Sequence, residues 1–205
     1  MWRLAALYIM PALISHTHCL SIVQSTAKIE DLVQDSKLDA TRVSKMICLP
    51  SIANHQGVCL HCCPTGPNPA LTQLFDAVSG VVTLKTESEL EACMMTTCMM
   101  GPLYGVMKSA KDWLLSNTSS LSEEDATYLV IQQYIGAIQD AEKGDSKHIP
   151  ASRLEDLIEE QTPGGLNEQA LANLAQLGGL AAHDRVMDAI VARIRGESDG
   201  SINNE

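Results

Sequence analysis

The chain has 205 residues, of which 45% are hydrophobic and only 3% aromatic, and it carries a formal net charge of −11. This length accommodates one or two domains with a hydrophobic core. The acidic balance, without a basic stripe, excludes nucleic acid and anionic membranes as favoured partners. We predict that the nine methionines and seven cysteines fill space in an aliphatic core.

The cysteine pattern predicts a reducing compartment. Seven is an odd number, and Cys62 is adjacent to Cys63, which does not suit a disulfide framework. We therefore expect a cytoplasmic protein with reduced, mostly buried thiols. An alternative stays open, because residues 1–14 place one basic residue before an apolar run, as a targeting segment does. That run is too short to span a bilayer, so no membrane partner is expected.

Residues 1–86 are predicted to alternate strands with helices. The segment 4–14 is predicted as a strand or short helix, strands are predicted at 43–49, 58–62 and 81–84, and helices at 25–33 and 69–78. This alternation is typical of a parallel α/β sheet. The set of strands is small for a free-standing doubly wound domain.

From residue 87 onward the pattern is helical. One long helix is predicted over 87–116, with a kink at Gly101-Pro102, because proline removes a hydrogen bond inside a helix. Further helices are predicted at 122–143, 150–160, 166–177 and 181–195. We place a domain boundary near Thr86, so that domains span 1–86 and 87–196, and we expect a disordered polar tail at 197–205.

A glycine-rich turn joins the helices predicted at 150–160 and 166–177. It reads Thr162-Pro163-Gly164-Gly165, in which the threonine can cap a helix and the proline suits a first helical position. Unshielded N–H groups at a helix N-terminus attract anions, because the helix dipole acts in the same direction. The alternative is a plain turn between helices that needs glycine for a positive φ. The pattern leaves both interpretations open.

Histidine and cysteine pairs suggest a zinc site. They occur at His16-Thr17-His18-Cys19 and within 59–63, where Cys59, His61, Cys62 and Cys63 follow one another closely. Zinc requires about four ligands in tetrahedral geometry. Neighbouring residues of a strand point to opposite faces, which makes 59–63 a poor ligand set. We therefore predict no metal site.

Residues 21–195 resemble pyrroline-5-carboxylate reductase, a family that joins a dinucleotide-binding domain to a helical dimerisation domain. The family's broken-helix segment Ser-Gly-Ser-Gly-Pro is read here as Cys98-Met99-Met100-Gly101-Pro102. Its signature Ser-Pro-Gly-Gly-Thr-Thr is read as Thr162-Pro163-Gly164-Gly165-Leu166-Asn167, and its Met-Pro-Asn as Leu49-Pro50-Ser51. The implied fold class is α+β: a partial Rossmann-like α/β lobe followed by an all-α dimerisation domain.

The resemblance implies NAD(P)H-dependent reduction of a cyclic imine to proline. The implied substrate-binding residues are Thr162, Gly164, Gly165, Leu166 and Asn167, with the substrate carboxylate on backbone N–H groups of the turn. Asn167 takes the catalytic place that a threonine holds in the family, but an amide cannot serve as a general acid. Pro50 and Ser51 are the implied cofactor contacts.

The chain also departs from the family. No Gly-x-Gly-x-x-Gly phosphate loop occurs in residues 1–86, where Gly57, Gly66 and Gly80 stand singly. By the resemblance, the chain begins late in the dinucleotide domain, which predicts a truncated lobe and little catalysis by this chain alone. Two functions therefore stay open: an imine reductase that another polypeptide completes, or a non-catalytic dimerising protein that keeps the fold.

The expected partner is a second copy of the chain. Residues 94–104 are apolar nearly all round a helix, and such a helix is normally buried on more than one side. We predict a homodimer or a higher homo-oligomer built through the helices at 88–116 and 122–143.

Overall fold

The computed structural model of the chain describes residues 20–22, 27–48, 50–66, 69–142 and 149–202. Two short 3-10 helices lie at Ala40–Arg42 and Pro50–Asn54. The strands and α-helices of the described residues are, in chain order, β1 Leu20–Ile22, α1 Ile29–Ser36, β2 Val43–Cys48, β3 Val58–Cys62, α2 Pro69–Asp76, β4 Gly80–Leu84, α3 Glu87–Thr97, α4 Met100–Asn117, α5 Glu123–Ala141, α6 Arg153–Glu159, α7 Leu166–Gln176 and α8 Gly179–Ile194.

The chain forms two compact units. The first contains Met1–Thr97 with Ala189–Glu205, and the second contains Cys98–Asp188. These units are defined by contacts between residues, whereas the boundary near Thr86 was predicted from the sequence pattern. That boundary therefore stays a prediction. No helix among the described residues is long and apolar enough to cross a membrane. The segment 1–19, which contains the suggested targeting residues and His16, His18 and Cys19, lies outside the described residues.

The first unit contains a four-stranded sheet in the order β1-β2-β3-β4. β1 pairs with β2 and β3 pairs with β4 in parallel, but β2 and β3 are antiparallel. The prediction of a wholly parallel sheet is therefore wrong at its centre. The connection between two adjacent parallel strands needs a dozen or more residues. Only the segment 49–57 joins β2 to β3, and its 3-10 helix turns the chain back on itself.

One face of the sheet packs against helices α1 and α3. The buried core residues there are Ile29, Val43, Leu60, Cys62, Leu90 and Met94. Leu90 and Met94 are four residues apart on α3, so both side chains point to the same side of the helix. Aliphatic residues, Met and Cys thus fill the core of this chain, which has few aromatic residues.

A buried ion pair connects the sheet with both of these helices. The ammonium nitrogen of Lys45 on β2 lies 3.0 Å from a carboxylate oxygen of Glu87, and the lysine side chain is 2% exposed. Both carboxylate oxygens of Glu87 also accept the N–H of Ile29, each at 3.2 Å. Ile29 begins α1 and Glu87 begins α3. The carboxylate therefore lies where helix dipoles favour negative charge.

The long helix predicted over 87–116 is two helices. α3 ends at Thr97 and α4 begins at Met100. A proline ring clashes with the carbonyl group four residues earlier, which here belongs to Cys98, so a continuous helix cannot pass that point. Pro102 instead occupies the first turn of α4, where its missing N–H would have had no partner. The break precedes the predicted kink at Gly101-Pro102.

In the second unit, α4 and α5 pack against each other and α6 and α7 follow around the glycine-rich turn. Ser122 caps α5, because its hydroxyl oxygen accepts the N–H of Asp125 at 3.0 Å. The predicted start of this helix is therefore confirmed. At the C-terminus, residues 197–202 contain a turn in which Asp199 accepts the N–H of Ser201. The disorder expected for 197–205 stays a prediction.

We expect Glu87→Gln to destabilise the first unit by about 3–5 kcal/mol, because the buried Lys45 ammonium then lacks a compensating charge. Replacing both partners, as Lys45→Met with Glu87→Leu, should recover most of this loss. Hydrogen exchange of peptides from β2 measures the effect within the first unit.

Glu91→Gln is the matched control for this substitution. Glu91 lies on the same helix and pairs with Arg195, whose side chain is 35% exposed. Its loss should cost less than about 1 kcal/mol, because the guanidinium stays solvated. Equal losses for the two variants would contradict the importance of the Lys45–Glu87 pair.

Candidate functional site

The glycine-rich turn at 162–165 has the pattern of a type II turn. The N–H of Gly165 donates to the carbonyl oxygen of Thr162 at 2.8 Å, and Gly164 has a φ of +71°. A type II turn requires positive φ at its third position and favours proline at its second, which here is Pro163. Gly164 is therefore needed for its backbone conformation, as the plain-turn interpretation predicts.

Gly165 is needed for a different reason. It is the N-cap of α7 with extended backbone angles, and a Cβ atom there would lie 2.7 Å from the carbonyl oxygen of Thr162. The helix thus starts after the turn, at Leu166. The predicted roles of Thr162 as a cap and of Pro163 as a first helical residue are wrong, because both residues belong to the turn itself.

Glu168 on α7 binds the turn from within the chain. Its carboxylate accepts the N–H of Gly164 at 2.6 Å. Glu168 is the third residue of α7, from which a glutamate side chain reaches back to the chain before the helix, as in a capping box. Of the three N–H groups implied to hold the substrate carboxylate, those of Gly164 and Gly165 thus have acceptors inside the protein. The role of Glu168 was not predicted, although a glutamate three positions after an N-cap is a local signal.

Asn167, the implied catalytic residue, also has an internal partner. Its amide nitrogen donates to the side-chain oxygen of Gln161 at 3.0 Å, and Gln161 in turn donates to the carbonyl oxygen of Leu157 at 2.7 Å. The asparagine therefore links the start of α7 to the end of α6. The neighbouring Leu166 side chain is 85% exposed. Through these hydrogen bonds, Asn167 holds the start of α7 against Gln161, whether or not it also contacts a substrate.

The implied cofactor contacts Pro50 and Ser51 lie in the 3-10 helix between β2 and β3. The carbonyl oxygen of Ser51 accepts the N–H of Gln56 at 3.2 Å. Gly57 has a φ of +83°, and a Cβ atom there would lie 2.7 Å from the Ser51 hydroxyl oxygen. The side chain of Ser51 therefore packs directly against Gly57. This segment belongs to the first unit, whereas the glycine-rich turn belongs to the second.

The histidine and cysteine residues of β3 do not assemble a ligand set. Among the residues that the structure describes, no three His, Cys, Asp or Glu side chains converge on a position for a metal ion. His61 is fully buried, and neither ring nitrogen has a hydrogen-bond partner. Burial lowers the pKa of His61, because the charged imidazolium loses its hydration. The ring is therefore neutral at pH 7.

No family model matches the sequence, and no curated protein matches it significantly. Solved structures of pyrroline reductases do match the fold. A Plasmodium falciparum pyrroline carboxylate reductase with NADP bound has a TM-score of 0.65 and 18% identity, over 89% of this chain and 71% of that chain. A Coxiella burnetii pyrroline-5-carboxylate reductase has a TM-score of 0.66 and 19% identity, over 82% and 62%. The fold is thus similar to that of these reductases, a distant structural relationship.

We expect Glu168→Ala to open the turn to an external carboxylate, because the substitution frees the N–H of Gly164 at a helix N-terminus. Adding proline at millimolar concentration should then shift the amide resonances of Gly164 and Gly165 in a nuclear magnetic resonance titration. The unaltered chain should show no such shift.

Glu159→Ala is the control for charge, because Glu159 is also an exposed acidic residue beside this turn, on α6. If Glu159→Ala gave the same shifts as Glu168→Ala, general repulsion and not occupation of the N–H would explain the result. Shifts in the unaltered chain would contradict the occupation of the turn by Glu168.

Proposed function

We propose that this chain is a pyrroline-5-carboxylate reductase-like protein that assembles through its helical unit and does not, by itself, reduce a cyclic imine. In this proposal, residues 1–86 form a partial Rossmann-like lobe and residues 87–196 form the dimerisation domain of the family. The observation that carries it is the hydrogen bond from the N–H of Gly164 to the carboxylate of Glu168, because this carboxylate occupies a donor that a substrate carboxylate would need.

The residues present do not fit a dinucleotide cofactor. A Rossmann fold holds the pyrophosphate at a helix N-terminus after a glycine-rich turn. The connection from β1 to α1, residues 23–28, contains no glycine. The N–H of Ile29 at the start of α1 already donates to Glu87. A pyrophosphate at this position would therefore find the N–H of Ile29 already occupied by the carboxylate of Glu87.

A second function is supported by the fold itself. The similar structure from Plasmodium falciparum has NADP bound, and the chain keeps the Pro163-Gly164-Gly165 part of the family signature. If another polypeptide supplies a phosphate-binding loop, the pair would reduce a small imine with NAD(P)H. Because Asn167 cannot act as an acid, water or the substrate would then supply the proton.

Assembly with a second copy is supported by exposed apolar side chains on α5. They recur at intervals of three and four residues along the helix, and are Tyr128, Ile131, Ile135 and Ile138. This spacing is that of a helix that packs against another helix in coiled-coil fashion. On α4, Val106 and Trp113 are also exposed and lie seven residues apart on one face. A second copy would cover these two surfaces, since exposed apolar patches of this kind are unusual in monomers.

We expect the 205-residue chain to bind neither NADPH nor NADH at micromolar concentration and to show no turnover of pyrroline-5-carboxylate. Fluorescence titration with each dinucleotide and an assay of imine reduction measure this. Tight cofactor binding with turnover by the chain alone would contradict the first proposal. Turnover that appears only after a second polypeptide is added would favour the completed reductase.

We expect Ile138→Asp to weaken self-association, because it places a charge in the apolar surface of α5. Gln169→Asp adds the same charge to an exposed position of α7, outside these two apolar surfaces, and should leave the assembly intact. Sedimentation velocity at micromolar protein distinguishes the two. A stable monomer for the unaltered chain, or equal effects of both substitutions, would contradict assembly through α5.

A further inference from the structure

Two cysteines face each other across the antiparallel centre of the sheet. Cys48 is the last residue of β2, and its partner in the register of the ladder is Cys59 on β3. Their sulfur atoms are 2.9 Å apart. Directly opposed residues in antiparallel strands have Cα atoms about 4.5–5.5 Å apart. That range falls within the 4.4–6.8 Å that a disulfide spans, so the backbone spacing of this pair suits a bond between the two sulfurs.

The other described cysteines lack this arrangement. Cys62 lies in the core on the opposite face of β3, and Cys63 contacts the hydroxyl of Thr65. Cys98 is exposed, and Cys93 is half-buried on α3. Among the residues that the structure describes, Cys48 and Cys59 are therefore the two thiols whose positions in the fold suit a covalent bond.

We propose that Cys48 and Cys59 are a redox pair that forms a reversible cross-strand disulfide. The oxidant is a small-molecule disulfide of the glutathione type. In the first step, the Cys48 sulfur attacks one sulfur of oxidised glutathione, whose S–S bond breaks and releases one glutathione. In the second step, the Cys59 sulfur attacks Cys48, the bond to glutathione breaks, and the second glutathione leaves. Two protein thiols are oxidised, and one glutathione disulfide is reduced to two thiols that take up the two protons.

The accessibility of the two thiols sets this order of attack. Cys59 is fully buried, whereas Cys48 is only partly buried and can meet the oxidant. Burial, followed by the contact with Cys59, raises the pKa of the Cys48 thiol to about 12. Because the thiolate is the attacking species, oxidation at neutral pH is slow, and the pair stays reduced unless the oxidant persists.

The bond would close a ring around the connection between β2 and β3. The two cysteines are 11 positions apart, and the segment between them contains the 3-10 helix Pro50–Asn54. A disulfide reduces the number of conformations open to the chain that it encloses. Oxidation would therefore disfavour local opening of the segment that contains Pro50 and Ser51. This consequence does not depend on whether that segment contacts a cofactor.

The test equilibrates the full chain with oxidised and reduced glutathione, blocks the remaining thiols, and maps disulfides by mass spectrometry after non-reducing digestion. We expect a linked peptide pair containing Cys48 and Cys59, with the loss of two hydrogens and reversal by reduced glutathione. Hydrogen exchange of residues 49–58 should slow in the oxidised protein. Circular dichroism recorded in parallel should show that the fold is retained.

Matched variants make the test decisive. Cys48→Ser should abolish the linked pair and the slower exchange, whereas Cys98→Ser should change neither. Because Cys48 is only half-buried, its replacement avoids the cavity risk of changing Cys59. The proposal is overturned if the link between Cys48 and Cys59 appears only after the fold is lost. It is also overturned if glutathione modifies Cys98 while Cys48 and Cys59 stay free at equilibrium.

Discussion

The first unit depends on one carboxylate that serves the sheet and two helices together. The carboxylate of Glu87 forms an ion pair with the ammonium of Lys45 and accepts the N–H of Ile29. Glu87 is also the first residue of α3. A buried lysine that lost this partner would remain as an uncompensated charge, which is costly at low dielectric. The buried ammonium of Lys45 on β2 therefore depends on the carboxylate of Glu87, which lies at the start of α3 and next to the start of α1. Val43 and Leu90 belong to the buried aliphatic cluster between these same elements.

A similar arrangement recurs in the second unit, where Glu168 accepts the N–H of Gly164. At both places a helix start that could attract an anion is neutralised by a carboxylate of the protein. The substrate and the cofactor of an imine reductase both bring negative charge. At each place the internal carboxylate removes a donor that such an anion would need. Because both helix starts are already occupied in this way, assembly is a better supported function for this chain than catalysis.

Signals that act within a few residues predicted the structure well. Strand β3 lies at Val58–Cys62 as predicted, and Ser122 caps α5, because alternation and capping are local. The pair of Lys45 and Glu87 spans 42 positions, and no local pattern indicates it. The short connection 49–57 indicates the antiparallel centre of the sheet, whereas strand–helix alternation indicates parallel pairing. The role of Glu168 was likewise available from its place three residues after the N-cap.

The two faces of β2 differ in the charge of their buried side chains. Successive residues of a strand point to opposite faces, so Lys45 and Cys48 lie on different sides of the sheet. The face of Lys45 contains the compensated charge. The opposite face contains Met46 and, across the ladder, the neutral ring of His61, both fully buried. Thiols and a disulfide are all uncharged, so oxidation on this face changes the connectivity of the chain without burying a new charge. Oxidation would therefore act on the face of β2 opposite to the one that holds the Lys45–Glu87 pair.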